Sequence, residues 1–187
     1  MKELKNGMVL YHGSYCVVKK PDLEKCASYK DFGQGFYLTT LHEQARSFAR
    51  ISFKKAELKG LVLHFGFAHV SLFKVNGVDS LRTFSYDFAD EAWLHCIVAH
   101  RRNNIFEKVK KKMQDYDVIS GKIANDDTNA TVMAYMGNVF GPMGSEQADR
   151  MCISLMLPER LKDQFCFRSE AAISALEFIG NERIAVN

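Results

Sequence analysis

Short β-forming runs and helix-periodic stretches alternate along this chain from one end to the other, and that interleaving limits its fold more than any other feature. Met8-Val9-Leu10-Tyr11-His12 is an apolar run closed by Gly13-Ser14, which reads as a strand entering a loop. Residues 15–30, with Pro21 and several lysines, read as loop with at most one short helix. Gly35-Phe36-Tyr37-Leu38-Thr39 reads as a second strand, reached through the flexible Gly33-Gln34-Gly35 turn. Thr40 is the expected N-cap of a helix over about 41–56, because Glu43 three residues later completes a capping box. Ala45, Phe48, Ala49 and Phe53 follow at helical spacing.

Beyond that helix, Leu61–Phe67 and Ser71–Val75 are two further strand candidates before an Asn76-Gly77 turn. A helix is expected from Phe88 to Arg101, with Trp93 in the core. A strand follows over 117–124, then a helix through Val132–Tyr135, N-capped by the polar cluster Asn125-Asp126-Asp127-Thr128. A glycine-rich break at Gly137–Gly144 precedes a helix near 146–156. The end of the chain reads as a strand at Phe165–Phe167, a short helix at 170–176 and a strand at Leu176–Ile179. Strands dispersed among helices predict an α+β fold with a mixed or antiparallel sheet split into two parts.

The 187 residues suit one domain spanning 1–187, and 47% hydrophobic content with three prolines suits a packed core rather than disorder. Chains of this size bury roughly 70% of their unfolded surface. A net charge of +3 is too small to imply nucleic-acid binding, and the basic run Lys108–Lys112 reads as a solvated helix end. The five cysteines form no CxxC pair, which argues against a disulfide framework or a zinc site and fits a reducing cytoplasm. No signal-peptide pattern is visible, and no apolar run nears the roughly 18 residues that span a bilayer. The expectation is a soluble cytoplasmic protein with no membrane partner. His95 and His100 are five apart, so no metal site is expected, and Gly33-Gln34-Gly35 lacks the third glycine of a dinucleotide fingerprint.

Three segments carry the chemistry. They are Tyr11-His12-Gly13-Ser14, Asp31-Phe32-Gly33-Gln34-Gly35-Phe36-Tyr37-Leu38-Thr39, and Gln164-Phe165-Cys166-Phe167. Together with the helix Glu43–Ala49 and a central Ala-Asn-Asp block, they resemble the ADP-ribosyltransferase superfamily, in the His–Tyr–Glu branch of poly(ADP-ribose) polymerases and diphtheria toxin. The likeness runs over nearly the whole chain and is greatest to a bacterial group within that superfamily. It implies a split mixed or antiparallel sheet flanked by helices, with NAD as co-substrate. His12 and Gly13, with Ser14, would bind the ribose and the nicotinamide amide. Tyr37, on a strand opened by Gly35 and closed by Thr39, would stack on the nicotinamide ring. Gln164 falls where the branch places its catalytic glutamate.

That neutral amide can accept a bond from the ribose 2′-hydroxyl but cannot act as a general base. Glu170 and Asp127 are the carboxylates considered as substitutes, and Asn125, Asp126 and Asp127 as lining for the acceptor side. The resemblance implies a mono-ADP-ribosyltransferase acting on an intracellular protein or nucleic acid, of the kind found among toxins and conflict effectors with a cognate antitoxin-like partner. Two other readings are a module that binds NAD or ADP-ribose without chemistry, and an RNA-directed transferase gripping phosphate through Arg101, Arg102 or Arg168.

Overall fold

The computed structural model describes residues 3–63, 66–124 and 126–186; His64, Phe65 and Asn125 lie outside the described residues, as do the side chains of Asp126, Asp127 and Pro158. Its fold is α+β, with two sheets and six α-helices among the described residues. The first sheet is antiparallel throughout, in the order β1 (Val9–Ser14), β3 (Gly66–Val75), β7 (Leu176–Val186). The second runs β2 (Phe36–Leu38), β6 (Asp163–Phe167), β5 (Val118–Lys122), β4 (Thr83–Ser85), with β4 and β5 parallel. The sheets meet where Tyr11 and Thr39 exchange two backbone hydrogen bonds of 2.9 and 3.0 Å.

Period-two alternation sorts the side chains of the second sheet. Phe36, Leu38, Phe165 and Phe167 point inward and share one apolar cluster with Leu10, Phe73 and Val75 of the first sheet. Tyr37, Gln164 and Cys166 alternate with them and therefore point to the opposite side. There Cys166 joins a second cluster built with Trp93, Leu94 and Ile97 of α2 (Glu91–Arg101), Tyr135 of α4 (Asp126–Met136) and Cys152 of α5 (Glu146–Leu155). Trp93 is in the core as expected, its Nε1 donating to the Lys122 carbonyl at 2.9 Å. The outer side of the first sheet is covered by α1 (His42–Leu58), whose Ala45, Ala49 and Phe53 pack on Ala68, Val70, Ile184 and Val186.

Several expectations need correction. Leu61–Phe67 and Ser71–Val75 are not two strands. One strand, β3, begins at Gly66, while Leu61 and Leu63 lie exposed after the Gly60 turn that ends α1. Thr40 is not the N-cap of α1; Leu41 is, without a side-chain bond, and the Leu41 N–H is taken instead by the Thr39 hydroxyl at 3.1 Å. The basic run lies in a short helix of its own, α3 (Glu107–Met113), with Lys110, Lys111 and Lys112 in its last turn. The last strand runs to Val186 rather than Ile179, because its alternation lets one side rest on β3 to the end. A fourth strand of the second sheet, Thr83–Ser85, was not expected; three residues with two hydroxyls carry too little pattern to read. The short helix before the last strand, α6 (Glu170–Ser174), and the helices α2, α4 and α5 fall where the sequence put them.

Candidate active site

His12 sits near the end of β1, on the side of the strand that faces Phe36, and its ring lies 4.3 Å, centroid to centroid, from that phenyl ring. Its Nδ1 is 2.8 Å from the carbonyl oxygen of Tyr37. A carbonyl only accepts, so Nδ1 carries the hydrogen and the neutral ring keeps a lone pair on Nε2. Burial holds the imidazole pKa below its ordinary value of 6.5, against the opposing pull of the Tyr37 carbonyl. The neutral form is therefore the one present at neutral pH.

Tyr37 turns its hydroxyl back onto its own approach loop. The oxygen accepts from the Phe32 N–H and donates to the Gly33 carbonyl, both at 2.9 Å. Burial, followed by the neighbouring Cys166 and Asp31, raises the phenol pKa well above 10, so the hydroxyl stays neutral and keeps both bonds. The loop that it holds is tight on both sides. Gly33 has φ +82° and a Cβ there would stand 2.7 Å from His100, while a Cβ on Gly35 would stand 2.5 Å from the Cys166 sulfur. Those two glycines are packing requirements. Thr39 and Ser14 are also spoken for: the single hydrogen of the Thr39 hydroxyl has Gln44 Oε1 and the Asp163 carbonyl as acceptors, each at 3.1 Å, and Ser14 Oγ accepts from Cys16 N–H at 3.5 Å.

Gln164 is 5% exposed and opposes Gly121 across the β5–β6 ladder. Its Nε2 donates to Asp31 Oδ2 at 2.7 Å. Sequence reasoning passed over Asp31 as a carboxylate, although it opens the block that holds Tyr37. Arg101, a candidate phosphate ligand only in the RNA-directed reading, bonds Asp31 Oδ1 through Nε at 2.9 Å and Nη2 at 2.5 Å. Arg102, an exposed residue, and the half-buried Arg168 donate to the carbonyls of Met136 and Met113. Glu170 instead lies in the first turn of α6, away from this network. Asn125 lies outside the described residues, with the side chains of Asp126 and Asp127.

These are three separate hydrogen-bonded pieces, His12 on the Tyr37 carbonyl, the Tyr37 hydroxyl on Phe32 and Gly33, and Asp31 on Gln164, and the covalent backbone joins them, since Asp31 directly precedes Phe32. Gly13 stands apart from them. Its missing side chain faces α1, where a Cβ would collide with the Ala45 carbonyl oxygen and lie 2.6 Å from the Ala49 nitrogen. On that side a cavity of about 360 Å³ opens, bordered by Gly13, Tyr15, Phe48 and Ser52, with Lys30, Lys55 and Lys59 at its edge. None of these three lysines is paired with a described carboxylate. Phe48 continues the helical apolar spacing of α1 yet is only half-buried, whereas Ala45, Ala49 and Phe53 are sealed. Tyr37 does not line this cavity.

A second cavity, about 780 Å³, lies between the glycine-rich break and α5, with Val139, Phe140 and Met151 on its walls. Among the described residues no group of His, Cys, Asp and Glu is arranged to hold a metal ion. No described helix is long and apolar enough to cross a membrane.

The family model described as protein of unknown function (DUF3990) matches residues 8–178, from the strand before His12 to the first part of β7. The chain belongs to the DUF3990 family. All three site segments fall within the DUF3990 match. No curated protein and no solved structure matches the chain.

Proposed function

We propose that this protein is an NAD-dependent mono-ADP-ribosyltransferase that modifies an intracellular macromolecule. The observation that carries the reading is that His12 bonds the Tyr37 carbonyl while the Asp31–Tyr37 segment bonds Gln164 through Asp31, which brings β1, β2 and β6 together around one segment.

The reaction asks little covalent work of the protein. The bond between the ribose C1′ and the nicotinamide nitrogen breaks with its electron pair going to the cationic ring, which leaves neutral. A nucleophilic atom of the acceptor then bonds C1′ and gives up its proton. The protein has to position the sugar and accept bonds from its hydroxyls as positive charge builds at C1′. Neutral His12 offers the Nε2 lone pair, and Gln164 offers Oε1, for those hydroxyls. The described carboxylate beside Gln164, Asp31, is committed to Arg101, so the acceptor or solvent takes the proton.

The cavity beside Gly13, which His12, Tyr37 and Gln164 do not line, supports a place for the part of a dinucleotide that extends beyond the reacting ribose. It sets an aromatic face, Phe48, near the main chain at Gly13 and three ammonium groups that pair with no described carboxylate, a combination suited to a flat heterocycle joined to a diphosphate. In this reading Phe48 presents the ring to the ligand and Tyr37 braces the loop behind it. The acceptor is read by segments 125–130 and 137–145, the latter bordering the second cavity.

One observation favours a second reading. With Gln164 neutral and Asp31 neutralised by Arg101, the protein can hold NAD or ADP-ribose without turning it over. Incubating the purified protein with NAD and measuring free nicotinamide separates the two. Release that depends on His12 and Gln164 supports the transferase; tight binding with no release, across protein and RNA acceptors, supports the sensor. Labelled NAD in a lysate, followed by RNase or protease digestion, identifies the acceptor polymer.

A further inference from the structure

The carboxylate of Asp31 is 6% exposed and receives four hydrogen bonds, all from donors on other parts of the chain. Arg101 at the end of α2 gives Nε at 2.9 Å and Nη2 at 2.5 Å to Oδ1. The Ala124 N–H, just past β5, gives 3.0 Å to Oδ2, and Gln164 Nε2 in β6 gives 2.7 Å to the same atom. An ionised carboxylate accepts only, so the atom facing it from position 164 has to be a donor. A second carboxylate there would bring two like charges to within hydrogen-bond distance in a buried setting.

We propose that Asp31 is a positioning residue: it locks the Gln164 amide with its nitrogen inward, turns Oε1 away as the acceptor presented to ligand, and excludes glutamate from position 164. The function of that presented oxygen rests on the NAD reading above, whereas the demand for a donor at 164 does not. The other Gln164 contact agrees with the same orientation, since Nε2 also points at the Lys122 carbonyl, at 3.4 Å. Among the described residues, the charged groups around this point are Asp31, Arg101 and the Lys122–Asp163 pair, whose atoms are 2.8 Å apart. Tyr37 and Cys166 stand on the same side of the sheet and are held neutral by burial.

The test has two arms. In the first, thermal unfolding of wild type, Gln164→Glu and Gln164→Met is followed from pH 4.5 to 8. Gln164→Glu is expected to melt about 5 °C or more below wild type at pH 8, with the deficit closing as the pH falls. At low pH the introduced carboxyl holds a proton that it can donate to Asp31; as pH rises through its elevated pKa that bond is replaced by repulsion. Gln164→Met, which cannot ionise, should show a deficit that does not vary with pH. A Gln164→Glu protein as stable as wild type at pH 8 overturns the proposal.

In the second arm, nicotinamide release is measured for wild type and Asp31→Asn. A fall of about tenfold or more in kcat with KM within about twofold is expected, and an unchanged kcat in Asp31→Asn overturns the positioning role. If wild type itself releases no nicotinamide, the NAD reading fails, and the unfolding arm alone decides whether Asp31 dictates the donor.

Discussion

His100 and Gly33 meet so closely that no side chain fits between them: a Cβ on Gly33 would stand 2.7 Å from His100 Cδ2. The glycine also has φ +82°, a conformation that costs other residues roughly 1–2 kcal/mol. Gly33→Ala is therefore expected to destabilise the protein by about 2–4 kcal/mol, the strain adding to an overpacked contact. Urea unfolding checks this, with Gly180→Ala as the control, since a Cβ at Gly180 meets nothing within 4 Å.

The same histidine makes stability depend on pH. Burial lowers the His100 pKa from 6.5 to about 4, and its Nε2 is buried with no hydrogen-bond partner among the described residues. The unfolded chain takes up a proton near pH 6.5, whereas the folded chain resists it until about pH 4. Stability from this group is complete above pH 6.5 and is lost as pH falls towards 4, by an amount on the order of 3 kcal/mol. His12, lowered in the same direction, adds to the slope. His100→Gln should flatten the curve of unfolding free energy against pH over that interval; a variant that follows the wild-type curve would remove His100 as its cause.

Tyr37 separates bracing from binding. Tyr37→Phe keeps the ring and strips the Phe32 N–H and Gly33 carbonyl of their partner, which is expected to cost about 1–3 kcal/mol of stability. NAD affinity should change little in that variant. Calorimetry showing an affinity loss larger than the stability loss would put the hydroxyl in contact with ligand instead.

Phe48→Ala is expected to weaken NAD binding by about 1 kcal/mol, close to fivefold, through the lost ring face. Lys55→Ala and Lys59→Ala should each weaken it in a salt-dependent manner while leaving the melting temperature unchanged, because both side chains are exposed. Affinities unaltered in all three variants would move the dinucleotide out of this cavity.

Much of this was legible before folding was considered. The alternation of strand and helix, the two-part sheet and the positions of α1, α2, α4 and α5 follow from local pattern alone. His12, Tyr37 and Gln164 were picked out from their neighbours in sequence, and they do lie on strands that are close in space. What pattern could not supply was tertiary pairing. Asp31 and Arg101 are 70 residues apart, and neither has a neighbour that reports the other. Gly13 and Gly35 read as room for a ligand, but the space that they leave is taken by α1 and by β6. Phe48 shares its spacing with three sealed residues, and only the curvature of the packed surface reveals that its ring is left facing a hollow. β4 gained its place from its neighbour β5 rather than from its own three residues.

β6 has a partner along each of its edges, β2 on one side and β5 on the other. A slip of one residue would break both ladders and send Gln164 into the interior between the sheets. The amide is thus anchored by main-chain geometry that insertions or substitutions in the exposed loops do not touch. Changes confined to those loops would leave the Gln164 amide in place on the interior strand of the sheet.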